Sequence, residues 1–254
     1  MLPLSQKQIS IRGLLVNYYT RVGDNRQHKK TFIFLHGWRS SGTIWFAITS
    51  KITDANLCCM DFPGFGRSTL PQGVMDLNEY ASIVRDFISK LGLTNITLVG
   101  HSFGGRVAIK LVSTNPELVS RLVLVDSAGF ASSASRKAAL GIVARMVRPL
   151  FRPAFMHSLR RKIYTLMGTE DYVATPELKD TFVKVVNEDL SDAMRTIKTQ
   201  TLIVWGGQDK ETPLAMGEKI HSLIPHSRLE VIKNAGHFSF LDNPSAFTNL
   251  LNNV

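Results

Sequence analysis

Cysteine is scarce: there are two in 254 residues, Cys58 and Cys59, side by side. Neighbours in a strand point to opposite faces, so a bond between them is geometrically poor. Both sit in an apolar run at 57–60 and read as core thiols. With no disulfide framework, the small stapled folds of secreted proteins are excluded and a reducing compartment is expected. No apolar run reaches the roughly 18 residues of a membrane span. Residues 1–8 contain neither an apolar h-region nor a cleavage site, so a cytoplasmic protein is expected. Glycine (18) and proline (10) are modest and aperiodic, which excludes a fibrous repeat. Acidic residues are the minority charge, 20 against 30 Lys and Arg, for a net +10. Apolar residues make up 44%, too many for a disordered chain. The length fits one large domain, or one domain with an insertion.

What is present is an alternation. Residues 9–21 mix β-branched and aromatic side chains around Gly13 and predict a hairpin. Short continuous apolar runs follow at 31–35, 56–60, 96–99, 122–125, 202–205 and 229–232. Such runs suit strands covered on both faces of a parallel sheet. Between them, Tyr80, Ile83, Val84, Phe87, Ile88 and Leu91 repeat at helical spacing, as do Val107, Leu111 and Val112. Pro213 opens another helix that closes before Pro225, and a last one covers 244–251. Strands alternating with helices predict an α/β protein with a mostly parallel sheet. Residues 130–195 break the pattern. They contain no convincing strand and predict several helices divided by Pro149, Pro153 and Pro176. The expected organisation is a core of 1–129 and 196–254 with an inserted helical segment at 130–195.

The sharpest local pattern is Gly100-His101-Ser102-Phe103-Gly104, a G-x-S-x-G lying between a strand and a helix. A turn that tight needs small flanking residues and presents the central hydroxyl above the sheet at a helix N-terminus. A serine hydroxyl is a poor nucleophile without an adjacent base. His237, in Asn234-Ala-Gly-His, follows a strand end, where the active groups of such sheets gather. His28, His157, His221 and His226 read as surface histidines, and His36 and His101 as supports for loops. The base needs an orienting carboxylate. Asp209, in Trp205-Gly-Gly-Gln-Asp, is the first candidate, and Asp126, at the end of the neighbouring strand run, the second. Asp61, in a Pro-Gly-Phe-Gly loop, reads as a turn-shaper. Acyl transfer also needs N–H donors for the developing oxyanion. The backbone N–H of Phe103 and that of Trp38, after His36-Gly37, are the candidates.

In this order, Ser102, Asp209 and His237 resemble the triad of the α/β-hydrolase family. His36-Gly37, Asp61-Phe-Pro-Gly-Phe-Gly-Arg-Ser68, the Ser102 turn and the two loops around Asp209 and His237 give five ordered matches along nearly the whole chain. The resemblance implies an α/β-hydrolase fold, with a mostly parallel central sheet, flanking helices and an inserted cap at 130–195. It also implies two-step acyl transfer without a cofactor: Ser102 as nucleophile, His237 as base, Asp209 as orienting acid, and Trp38 and Phe103 amides as oxyanion hole. A serine at position 102 excludes relatives with an aspartate nucleophile. Gly64-Phe-Gly66 lacks the third glycine of a dinucleotide site. The histidines are too scattered for zinc, so no metal is expected.

The expected substrate is a small carboxylic ester or lactone. C–C bond hydrolysis of a dienoic keto-acid, and a non-catalytic ligand receptor on the same fold, are the alternatives. Eight of the basic residues lie between 130 and 165 with no acidic residue among them. They form a solvated face, or steer an anionic substrate. Without a reading module they do not suggest nucleic acid, and no membrane contact is expected. Trp38, Phe103, Phe238, Phe151 and Met146 are the expected walls of an apolar substrate pocket.

Overall fold

Each of the six apolar runs forms a strand of a single eight-stranded sheet. A computed structural model describes residues 3–21, 30–131 and 176–253. The strands are β1 (Ser5–Ile11), β2 (Leu14–Arg21), β3 (Thr31–Leu35), β4 (Asn56–Met60), β5 (Ile96–His101), β6 (Arg121–Val125), β7 (Thr201–Gly206) and β8 (Ser227–Ile232). Their order is β1-β2-β4-β3-β5-β6-β7-β8. Pairing is parallel from β4 to β8 and antiparallel only in the β1–β2 hairpin and its junction with β4. β3, β4, β5 and β7 are buried throughout, as strands covered on both faces must be. Edge strand β1 carries mostly exposed polar side chains, which discourages edge pairing.

The helices are α1 (Phe46–Thr49), α2 (Leu77–Leu91), α3 (Phe103–Thr114), α4 (Lys179–Asn187), α5 (Ser191–Thr196), α6 (Leu214–Leu223), α7 (Ser239–Asp242) and α8 (Pro244–Asn252). α2 shows why they form where they do. Asp76 and Glu79 close a reciprocal capping box at its start, a device that stabilises a helix by about 1 kcal/mol. Its apolar stripe, Tyr80 to Ile88 at helical spacing, is buried. Gly92 ends it at φ +60, a left-handed position that glycine takes without penalty. Trp45 stacks on Phe240 at 4.2 Å between ring centres and lies 5.1 Å from Phe34, so one aromatic core ties β3 to α7.

The chain divides into two compact units, Met1–Gly129 with Leu190–Val254, and Phe130–Asp189. The core therefore resumes at Leu190, six residues before the expected 196. Buried Leu190 and Met194 are the reason: the Leu190 amide donates to the Gly129 carbonyl at 3.0 Å, and Met194 fills the space beside Gly129. In the second unit the described part is a short turn at Pro176–Leu178 and α4, with Thr181 and Val185 buried. Residues 132–175, which include the basic stretch, Met146, Phe151 and most of the expected helical insertion, lie outside the described residues. Among the described residues no helix is long and apolar enough to cross a membrane.

Candidate active site

Ser102, Asp126, Asp209 and His237 follow the C-terminal ends of β5, β6, β7 and β8, four adjacent strands. The sheet order also reverses between β3 and β5, and ligand crevices of open α/β sheets form at such a switch point. His36-Gly37-Trp38 leaves β3 on one side of it and Ser102 leaves β5 on the other.

The turn at Ser102 is forced by packing. Ser102 adopts φ 51 and ψ −109, a left-handed conformation that costs energy for a side-chain-bearing residue. Its amide donates to the Val125 carbonyl, and its carbonyl accepts from Gly105, Arg106 and Ala128. A Cβ on Gly100 would stand 2.5 Å from the Gly104 carbonyl oxygen, and one on Gly104 would stand 2.5 Å from that of Leu35. The small residues of the motif are thus required where β5, α3 and the end of β3 meet. α3 begins at Phe103, directly after the serine, so the first amides of the helix point toward the serine. A Cβ on Gly37 would meet the His101 ring at 2.9 Å and Ser102 Cβ at 3.4 Å, so the loop that carries Trp38 lies against the serine. The Trp38 ring packs edge-on to Phe65 and Phe103 at 4.8 and 5.2 Å. Phe103 is buried among Trp38, Phe62, Phe65 and Tyr80, whereas Phe238 is 38% exposed beside the His101 and His237 rings.

Asp209 and His237 meet. His237 Nδ1 is 2.8 Å from Asp209 Oδ2, with the Asp209 side chain wholly buried. Asp209 Oδ1 accepts the amides of Glu211 and Thr212 at 2.8 and 2.9 Å, and the Thr212 hydroxyl lies 2.6 Å from Oδ2. A carboxylate on Nδ1 fixes the proton there and leaves the Nε2 lone pair for chemistry. Nε2 faces the Glu211 carboxylate at 3.5 Å, a side chain 67% exposed. Burial alone would lower the basicity of His237, but the hydrogen bond and charge of Asp209, with Glu211 and Asp126 behind it, raise its pKa above the ordinary value. Burial likewise works against the Asp209 anion, and the His237 and Thr212 hydrogen bonds reverse it, so the carboxyl titrates low.

Asp126, the second candidate for the acid, does not reach the imidazole nitrogens. Its Oδ1 accepts the Gly206 amide at 2.7 Å, and its Oδ2 accepts the Ser239 amide at 3.1 Å and hydroxyl at 2.6 Å. His36 and His101 hold loops together. Nε2 of His36 accepts the Phe62 amide at 3.0 Å, so its Nδ1 donates to the Gly37 carbonyl at 2.7 Å. His101 Nε2 donates to the His237 carbonyl at 2.8 Å, joining the serine turn to the His237 loop. Burial pushes both down, His36 to about 4 and His101 to about 3. Asp61 accepts the amides of Gly42 and Arg67 and the Asn17 side chain, and shapes the loop after β4.

Three residues of the cluster carry no flag in the sequence reading. Thr212 had a usable signal: an Asp followed three residues later by Thr and then Pro is a local side-chain-capped turn. Ser239 and Glu211 had none, because their partners come from other strands. Among the described residues no group of three or more His, Cys, Asp or Glu side chains is arranged to hold a metal ion.

Comparison with known proteins bears on the family and the fold. Residues 32–250 match the model of a family described as the alpha/beta hydrolase family. An uncharacterized protein of Mycobacterium bovis is 27% identical over 86% of this chain and 73% of its own length. A 2-hydroxy-6-oxononadienedioate/2-hydroxy-6-oxononatrienedioate hydrolase from Pseudomonas is 22% identical, covering 98% of this chain and 96% of its own. Among solved structures, a membrane phospholipase A described as a bacterial virulence factor superposes with a TM-score of 0.78 at 21% identity, over 98% of this chain and 85% of that one. An esterase of Exiguobacterium antarcticum gives 0.75 at 24% identity, over 100% and 98%.

Proposed function

The chain belongs to the alpha/beta hydrolase family, and from that premise we propose that it is a serine hydrolase cleaving a small carboxylic ester or lactone through Ser102. The observation that carries this reading is the buried Asp209–His237 pair at 2.8 Å, in the loops after β7 and β8 at the same end of the sheet as a serine held at positive φ after β5. Ser102 Oγ attacks the substrate carbonyl while His237 Nε2 takes its proton. The imidazolium so formed is held by Asp209, which stays ionised throughout. The backbone amides of Phe103 and Trp38 receive the oxyanion, each such donor being worth about 2.7–4 kcal/mol. His237 then protonates the leaving alcohol. Water, activated by the same nitrogen, releases the acyl group. Phe238 and the Trp38 ring form apolar walls beside the reacting carbonyl, and Phe103 supports Trp38 from below.

The C–C hydrolase reading has one specific support, the likeness to the nonadienedioate hydrolase over almost the full length of both chains. One feature favours the ester reading: Glu211 sets a carboxylate 3.5 Å from Nε2, where it opposes an anionic substrate group. Hydrolysis of p-nitrophenyl acetate and butyrate by wild type and Ser102→Ala tests the proposal. The expected result is turnover in wild type and a loss of at least about 10³-fold in the variant. Equal rates in both would remove Ser102 from the nucleophile role. Turnover of a dienoic keto-acid, with none of esters, would favour the C–C hydrolase.

A further inference from the structure

Asp126 follows directly on β6 at φ +44, a left-handed backbone position that aspartate tolerates but does not prefer. It is fully buried, and no residue of the proposed reaction sequence uses it. A buried carboxylate at a strained position persists only where the surroundings hold it there. What holds it is specific. Gly206, at the end of β7, donates its amide to Oδ1, and Ser239, two residues past His237, donates both amide and hydroxyl to Oδ2. The Asp126 backbone joins the same cluster: its amide donates to the Val204 carbonyl, and its carbonyl lies 3.1 Å from the Thr212 hydroxyl. That hydroxyl in turn touches Asp209 Oδ2 at 2.6 Å and His237 Nδ1 at 3.2 Å. One residue thus contacts the loop of the acid, the loop of the base, and the side chain that bridges them.

We propose that Asp126 is a positioning residue of the site, a second buried carboxylate that fixes the Asp209 and His237 loops against each other and whose charge favours the protonated His237 ring. The inference rests on the serine hydrolase reading for its catalytic consequence, but not for its effect on the imidazole. The ionisable groups facing Asp126 are Asp209 on the β7 loop, which opposes its charge, and His237 on the β8 loop, which is favoured by it. Its other partners, Gly206 and Ser239, are neutral donors. Burial pushes the Asp126 carboxyl up to about 7, with the Ser239 and Gly206 hydrogen bonds holding it from rising further. The clamp therefore gains and loses its charge near neutral pH. On protonation the carboxyl must donate a hydrogen bond, and Ser239 Oγ, 2.6 Å away, is the partner able to accept it. An asparagine at 126 can satisfy only one side of this arrangement, because its amide nitrogen faces either the Gly206 or the Ser239 N–H.

The test compares wild type, Asp126→Asn and Ser239→Ala by two readouts. In histidine-labelled protein, the His237 ring signal, assigned by its loss in His237→Asn, is followed by NMR against pH. Expected is a midpoint lower by about half a pH unit or more in Asp126→Asn, as for loss of one buried charge beside a titrating ring. Ser239→Ala, which raises the Asp126 carboxyl and so reduces its charge, gives a smaller shift in the same direction. In p-nitrophenyl acetate hydrolysis, kcat falls by about tenfold or more in Asp126→Asn while KM stays within about twofold. The acid limb of kcat/KM moves to lower pH with the ring. A folded Asp126→Asn whose His237 midpoint is unmoved overturns the proposal, including where activity is lost. If Asp126→Asn fails to fold, an unmoved midpoint in Ser239→Ala overturns it instead. Absence of ester turnover in wild type would count against the serine hydrolase reading alone, and the ring titration would still decide the role of Asp126.

Discussion

Replacing Asp209 by asparagine changes one atom and should nearly abolish turnover, for a reason written in the donors around it. Oδ1 accepts two backbone amides, from Glu211 and Thr212, at 2.8 and 2.9 Å. Only an oxygen can remain there, so the new NH2 must face His237 Nδ1. Nδ1 then becomes the acceptor and the ring proton moves to Nε2, which can no longer take a proton from Ser102. Flipping the amide to restore the productive tautomer would set an NH2 against two amides. That loses two hydrogen bonds at about 1 kcal/mol each and strands the donors, costing roughly 3 kcal/mol. The charge-assisted bond to the imidazolium is lost as well, about 2 kcal/mol in the transition state. The total of about 5 kcal/mol corresponds to a fall in kcat of between about 10³- and 10⁴-fold. KM should change little, because Asp209 does not touch substrate. Steady-state hydrolysis of p-nitrophenyl acetate at pH 7, with thermal unfolding to verify the fold, measures this. A folded Asp209→Asn that keeps more than about a tenth of wild-type kcat would refute the orienting role and the tautomer argument together.

Gly104→Ala would push a Cβ to 2.5 and 2.7 Å from the Leu35 and His36 carbonyl oxygens. Both contacts are backbone, so a stability loss of about 3 kcal/mol or more is expected; an unchanged Tm would show that the serine turn has slack. Glu211→Gln removes the exposed carboxylate 3.5 Å from His237 Nε2. The kcat/KM for a carboxylate-bearing ester should rise by about two- to fivefold relative to a neutral ester, less at high salt, and an unchanged ratio would deny Glu211 any part in selectivity. Acid should destabilise the fold through His36 and His101. The unfolded chain takes their protons near pH 6.5, while the fold refuses them until about 4 and about 3. Stability present above pH 6.5 is therefore lost as pH falls, by about 3 kcal/mol for each ring at pH 4. Asp126, held up to about 7, works in the opposite sense and returns about 3 kcal/mol over the same range. The two rings outweigh it, so Tm should fall between pH 7 and 4. The fall should be shallower in His101→Asn, and equal slopes would count against the buried neutral rings as its cause.

Much of the fold was legible because its signals are local. The runs at 31–35 and 56–60 coincide with β3 and β4, since both strands are covered on both faces and even their polar first residues, Thr31 and Asn56, are buried. β5 runs on through Gly100 and His101, which look like the start of a loop in sequence. The sheet keeps them because Leu35 pairs with Gly100 and Val125 with His101 across neighbouring strands. α3 starts at Phe103, although two glycines follow at once; their lack of a side chain is needed for contact with β3 and Ser127, and that contact overrides their poor helix propensity. The resumption of the core at Leu190 depends on Met194 filling the space beside Gly129, a contact no local pattern announces. The site divides the same way. Ser102, Asp209 and His237 stand in short motifs, whereas Ser239 matters through a carboxylate 113 positions away.

The two aspartates show why strand-end position alone cannot assign the acid. Asp126 and Asp209 end adjacent parallel strands, both are buried, and each accepts several hydrogen bonds. Their surroundings separate them. Asp209 is solvated by two amides and a hydroxyl from its own turn, and its remaining lone pair meets the one partner that can carry a positive charge. Its anion is favoured, and its carboxyl is drawn low. Burial, which the neutral donors around Asp126 offset only in part, drives its carboxyl up to about 7, and the nearby Asp209 charge adds to the rise. A pair of carboxylates pushed apart in this way can divide two tasks at one pH: one stays ionised against the imidazolium, and the other stays close to its titration point. To replace Asp209 at the ring, Asp126 would have to leave Ser239 and strand two buried donors, at about 1–3 kcal/mol each. The same bonds that make Asp126 an effective clamp therefore bar it from becoming the acid, and the loops it ties together are what let Asp209 meet His237 at 2.8 Å.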